Sequence, residues 1–210
     1  MSKDDVLQAI SRYVYQQFAN DPTGHDFFHM KRVADWSFFL AKEEGANSFV
    51  AEAAGWLHDI GDAKLFAQPK QALVDLQVFL RSLDIEAEII DEISVAIKNV
   101  SFSKGAIPET LEGKIVQDAD RLDAIGAIGI ARTFAYGGVK NQLLHTEDDR
   151  EATSIQHFYD KLLKLSALIH TDRAKQEAAI RHQFMEEYLG QFLQEWQSNL
   201  NSKKAGGQHE

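Results

Sequence analysis

Eight histidines and a short run of aspartates are the residues of this 210-residue chain whose types and spacing could do chemistry. His58-Asp59 closes the apolar stretch Ala53-Ala54-Gly55-Trp56-Leu57 and is followed by Ile60-Gly61-Asp62, where glycine lets the chain turn sharply. Neighbouring side chains on a helix point about 100° apart, yet at a helix end both can converge on one ion. A second cluster, Gln117-Asp118-Ala119-Asp120-Arg121-Leu122-Asp123, lies within an apolar helical pattern between Ile115-Val116 and Ile125-Gly126. Three carboxylates so placed repel one another and lose solvation if buried, so solvent, a cation or Arg121 must compensate them. Asp oxygens and imidazole nitrogens together suit Mn²⁺, Mg²⁺, Fe²⁺ or Zn²⁺. Taken singly, each cluster is also what an amphipathic helix end or a solvated acidic stripe looks like.

Composition narrows the chemistry. With no Cys, the chain has no thiolate nucleophile, Cys-ligated zinc, iron–sulfur cluster or disulfide, so any metal must be held by His and carboxylates. A net charge of −10 opposes the phosphate neutralisation that drives nucleic-acid binding, so no nucleic-acid partner is expected; a small phosphate ester in a locally basic cleft is still compatible. The longest uncharged apolar stretch, around Ala124 to Ala131, is far short of the roughly 20 residues that span a bilayer. The opening Met1-Ser2-Lys3-Asp4-Asp5 lacks the apolar core of a signal peptide, so the expected location is cytoplasmic, with no membrane partner. A chain of this length buries roughly 70% of its unfolded surface as one domain. That domain is expected over residues 1–198, followed by a flexible polar tail at 199–210.

The elements that must position these groups read as helices throughout. Val6, Ile10 and Val14 mark a first; Val33, Trp36 and Leu40 a second, closed by Gly45; Val50, Ala54 and Leu57 a third, begun at Asn47-Ser48. Leu73, Leu76, Leu80 and Leu83 give a fourth, and Ile89, Ile93 and Ile97 a fifth. Residues 101–108 read as a loop. A long sixth helix is expected from Leu111 through Ile125, with Gly126 and Gly129 admitting a close neighbour and Gly137-Gly138 ending it. Ile155 to Ile169 form a seventh, and a last runs from the cap candidate Thr171 to Trp196. No alternating strand pattern of useful length occurs, so the fold class is all-α, a single helical bundle.

His29 in Gly24-His25-Asp26-Phe27-Phe28-His29, then His58-Asp59, then Ala119-Asp120-Arg121-Leu122 follow an order that resembles the HD-domain metal-dependent phosphohydrolase superfamily. The phrases from Val116 to Arg132 and from His157 to Leu162 are similar to its bacterial YedJ/YpgQ-like branch, and the resemblance covers nearly the whole chain. It implies an all-α HD-domain bundle in which His29, His58, Asp59 and Asp120 hold a metal, with Asp118 or Asp123 as the alternative fourth ligand. Related proteins with two metals carry further His between the His-Asp pair and the last Asp, whereas Ile60 to Leu144 contains none. One divalent ion is therefore expected, Mn²⁺ first, with Mg²⁺, Fe²⁺, Ni²⁺ or Zn²⁺ open. Four ligands leave about two of six positions for water and a phosphate oxygen, the arrangement of a catalytic site.

The resemblance also makes Asp62 the candidate acid/base residue and His25 a supporting or substrate-facing one. Phosphoryl transfer needs cations on the non-attacked oxygens. Lys64, Lys104 and Arg121 are the chosen substrate-binding candidates among a set that includes Lys98, Arg132 and Lys140, with Lys104 favoured by the likeness of Ser101-Phe102-Ser103-Lys104-Gly105 to the branch's substrate-side loop. His157 reads as a core histidine first and a substrate contact second. The implied activity is hydrolysis of a nucleoside or deoxynucleoside triphosphate to a monophosphate and pyrophosphate; nucleotide monophosphatase and guanosine tetraphosphate hydrolase are the alternatives. Two other classes compete with this reading. His25 and His29 have the i, i+4 spacing of a zinc peptidase helix but an Asp where a Glu is required, and a signalling or partner-binding module would carry a broken ligand set. The sequence is compatible with a homodimer.

Overall fold

A computed structural model describes residues 1–21, 24–100, 106–147 and 152–197 of the chain; Lys104 with its loop and the tail at 199–210 lie outside them. The described residues form α1 (Lys3–Phe18), α2 (Phe27–Glu44), α3 (Ser48–Leu57), α4 (Pro69–Arg81), α5 (Ala87–Ile97), α6 (Leu111–Asp123), α7 (Gly126–Val139), α8 (Ser154–His157), a π-helical turn (Phe158–Leu162), α9 (Leu163–Leu165), a 3₁₀ turn (Ser166–Leu168) and α10 (Asp172–Trp196), with no strand among them. The start and stop signals act as their chemistry requires. The Asn47 side chain accepts the Val50 N–H to begin α3, and Gly45 ends α2 at a φ of 72°, where a Cβ would be strained.

The core is built on α2, α3 and α6, which pack against one another, with α5 against α3 and α6. Val6, Ile10 and Val14 bury one stripe of α1 completely, as their helical spacing demands. Gly55 sets how near α3 comes to α2, for a Cβ there would lie 2.8 Å from both Ala34 Cα and Ser37 Oγ. Only a hydrogen fits, and the close, antiparallel approach brings the C-terminal end of α3 beside the first turn of α2. On the far side, α10 packs on α7, α6 and α2. An aromatic row fastens it, Phe134 of α7 lying within 6.4 Å of the Phe158, Tyr188 and Phe192 ring centroids. Each such pair adds about 0.5–1.5 kcal/mol to area burial.

Three expectations about the helices are corrected. The single long sixth helix is two: Ile125 is extended (φ −122°, ψ 168°) and Gly126 left-handed (φ +74°), so the chain turns between α6 and α7. Gly129 serves the same turn, because a Cβ there would lie 2.2 Å from the Ala124 carbonyl oxygen. The seventh helix is likewise not uniform, passing from α to π to α to 3₁₀ geometry between Ser154 and Leu168. Leu83 is buried but lies beyond the end of α4.

Candidate active site

Three helix ends deliver the polar cluster. Asp26 accepts the His29 N–H at 2.7 Å and so starts α2 just before His29. His58 and Asp59 follow the last turn of α3, and Asp120 lies in the last turn of α6. His29 Nε2 stands 3.7 Å from Asp59 Oδ2 and 3.6 Å from Asp120 Oδ1; His58 Nε2 stands 3.5 Å from Asp59 Oδ1 and 3.8 Å from Asp120 Oδ1. The four residues that the resemblance singled out are thus brought together from positions 91 residues apart in the chain.

The tautomers follow from the outer partners. His58 Nδ1 faces the Gly55 carbonyl at 2.8 Å and His29 Nδ1 faces Asp123 Oδ2 at 2.7 Å; both partners only accept, so both Nδ1 atoms donate. Each Nε2 then carries a lone pair, and each is buried without a hydrogen-bond partner among the described residues. Two lone pairs and two carboxylates converge here at 3.5–3.8 Å, too far for direct hydrogen bonds and near enough to repel, and the groups His29, His58 and Asp120, and His25, His29 and Asp59, could each hold a metal ion. Burial opposes ionisation of Asp59, but His58, the His25 hydrogen bond and His29 outweigh it and hold the carboxyl below the usual range. Burial pushes His29 down, while Asp59 and Asp120 overcome the same burial at His58 and raise it.

The other two aspartates of the cluster are occupied elsewhere. Asp118 turns towards the start of α10, accepting the His170 N–H at 2.9 Å and both the N–H and Oγ–H of Thr171 at 2.8 Å. Asp123 accepts from His29, from Arg32 at 2.5 and 3.0 Å, and from Arg132 at 2.7 Å. His25 precedes the cap of α2 and hydrogen-bonds Asp59 at 2.9 Å. The shared helical face that a zinc peptidase would need from His25 and His29 is therefore not formed.

A cavity of about 150 Å³ opens onto Asp59 and Asp120 and is walled by Asp62, Lys64, Arg121, Arg132 and Lys161. Asp62 accepts the Lys64 N–H at 2.8 Å, and Lys64 itself is exposed. Arg121 reaches the cavity wall with its guanidinium directed to the Leu168 carbonyl and to His170 Nε2 at 3.1 Å. Lys161 was missed as a cavity residue. It lies in the π-helical turn, a geometry common at functional sites, and burial lowers its pKa although Asp120 works the other way. The only sequence signal for it was its place in the phrase from His157 to Leu162, because a π turn leaves no mark in hydrophobic periodicity.

An all-α scaffold that closes two histidines and two aspartates beneath a cation-lined cavity defines a metal-dependent hydrolase. The HD domain family model matches residues 26–125. YpgQ of Bacillus subtilis is 36% identical over 188 residues, 88% of this chain and 90% of that protein. Its crystal structure in complex with ADP covers 90% of this chain and 96% of its own at a TM-score of 0.78. An HD-superfamily hydrolase from Bacillus thuringiensis is 39% identical, covering 94% of this chain and all of its own at a TM-score of 0.79. The chain belongs to the HD-domain superfamily of metal-dependent phosphohydrolases. No described helix is long and apolar enough to cross a membrane.

Proposed function

We propose that the protein hydrolyses a nucleoside or deoxynucleoside triphosphate to a monophosphate and pyrophosphate, with His29, His58, Asp59 and Asp120 holding one divalent ion, Mn²⁺ in the first instance. The observation that carries this reading is the pair of buried, partnerless Nε2 atoms facing Asp59 and Asp120 at the floor of a cavity walled by Lys64, Arg132 and Lys161. A divalent cation bound there would supply Lewis acidity toward the attacked phosphate and would lower the pKa of a bound water.

The chain's own residues do the rest. Gly55 and Asp123 fix the imidazole tautomers, so both Nε2 atoms present lone pairs. His25 restrains Asp59 from the cavity side. Lys64, Lys161 and Arg132 offset negative charge on the non-attacked oxygens as it shifts in the transition state. Asp62, which lines the same cavity, handles a proton or orients the nucleophile in this reading. A nucleotide substrate is supported by the ADP in the crystal structure of YpgQ, a protein 36% identical to this one.

The test is hydrolysis in ¹⁸O-labelled water with Mn²⁺. Attack at the α phosphorus places the label in the nucleoside monophosphate and none in the pyrophosphate. Label in pyrophosphate means attack at β, and orthophosphate as first product means a stepwise phosphatase. Asp62→Asn should lower kcat more than it raises KM, since a proton-handling group matters most in the transition state.

A further inference from the structure

A second cavity, of about 260 Å³, continues from the first and shares His25, Lys64, Arg132 and Lys161 with it. Together the two fall within the range of small-molecule sites, roughly 300–1,000 Å³. Its far wall carries polar groups that the fold does not use. Ser154 is 1% exposed and its Oγ has no hydrogen-bond partner among the described residues, a buried hydroxyl that is costly to leave unpaired. Gly137 makes room for that hydroxyl, since a Cβ there would lie 2.3 Å from it. The His157 imidazole and the Gln142 amide line the same wall and make no side-chain hydrogen bond among the described residues. Beside them Tyr136 is 44% exposed, with the Lys140 ammonium 5.6 Å from its ring centroid.

We propose that this second cavity is the nucleoside subsite of the nucleotide reading given above, with the base against the Tyr136 ring and with Ser154, His157 and Gln142 hydrogen-bonding its edge or the sugar hydroxyls. The phosphates then run into the first cavity beside Lys64, Arg132 and Lys161, so a single ligand spans both. Burial lowers the His157 pKa, which keeps the ring neutral and able both to donate and to accept at neutral pH. A third cavity, also about 260 Å³, lies behind His58 and offers the competing location. Two of its polar side chains are already engaged, Gln77 donating to Ser94 Oγ at 2.7 Å and Ser94 donating to the Ile90 carbonyl at 2.6 Å. It offers no aromatic face to a base.

The experiment is calorimetric titration of the Mn²⁺-loaded protein with ADP and, separately, with inorganic pyrophosphate. Tyr136→Ala should weaken ADP about tenfold, the scale of one lost base–aromatic stack, and leave pyrophosphate within twofold. Ser154→Ala removes a partnerless hydroxyl, so it should keep or raise the melting temperature of the ligand-free protein while weakening ADP several-fold. Gln77→Ala, in the competing cavity, should change neither affinity. If the wild type binds ADP and neither Tyr136→Ala nor Ser154→Ala weakens it, or if Gln77→Ala does, the subsite is misplaced and the nucleotide reading stands. If the wild type binds pyrophosphate but not ADP, or neither, the nucleotide reading itself falls and takes the subsite with it.

Discussion

The Nδ1–H of His29 donates to Asp123 Oδ2 at 2.7 Å across 94 residues of chain, and the same carboxylate receives Arg32 and Arg132. Asp123 therefore fixes which nitrogen of His29 faces Asp59 and Asp120. Asp123→Asn should lower metal affinity 10–100-fold, the usual cost of losing a partner behind a metal-facing histidine. Competition with a chromogenic chelator measures this, and an unchanged affinity would remove Asp123 from the positioning of His29.

The same carboxylate makes acid stability predictable in sign. Burial opposes its ionisation, but the hydrogen bonds from His29 and Arg32, with the Arg132 charge, hold the carboxyl below its ordinary range. A depressed carboxyl stabilises the fold fully above its unfolded pKa of about 3.9 and loses that contribution as pH falls toward the folded value. Urea unfolding of chelator-treated protein should show wild type more stable than Asp123→Asn at pH 7 and the two converging below about pH 4. A gap constant down to pH 3 would contradict the assignment.

Asp118 and Asp120, two residues apart, should separate stability from metal binding. Asp118 accepts three hydrogen bonds from His170 and Thr171 at the start of α10, so Asp118→Ala should cost about 1–3 kcal/mol of stability and leave metal affinity within a few-fold. Asp120→Asn should do the reverse. If Asp118→Ala were the worse for metal, Asp120 would not be the fourth ligand.

Gly55→Ala tests how the ligands are spaced. The added Cβ meets Ala34 Cα, a backbone atom that cannot turn aside, so α3 must shift off α2. Overpacking of this kind costs about 1–3 kcal/mol. Because His58 rides on the end of α3, metal affinity should fall with the melting temperature. Loss of stability alone, with metal affinity intact, would mean that the helix contact does not set the spacing.

What the sequence determined by itself was the local order. Val6, Ile10 and Val14 announce a helix face because the helical repeat is near 3.6 residues, and Asn47 and Gly45 announce ends because their chemistry is local, whereas Thr171 precedes α10 without a side-chain cap bond and gives its hydroxyl to Asp118 instead. The order His29, His58-Asp59, Asp120 was legible for the same reason, as a pattern of types along the chain. What only the tertiary structure decided is where each group points. Asp118, Asp120 and Asp123 leave one helix in different directions, about 100° per residue, and nothing local says which direction meets α10, which the two histidines and which Arg32. The break at Gly126, read as close packing within one helix, is a turn because the Ala124 carbonyl occupies the space a side chain at residue 129 would need. Lys161 and Ser154 reach the cavities through a π turn and a close pass of α7, both products of packing between elements far apart in sequence, which no periodicity records.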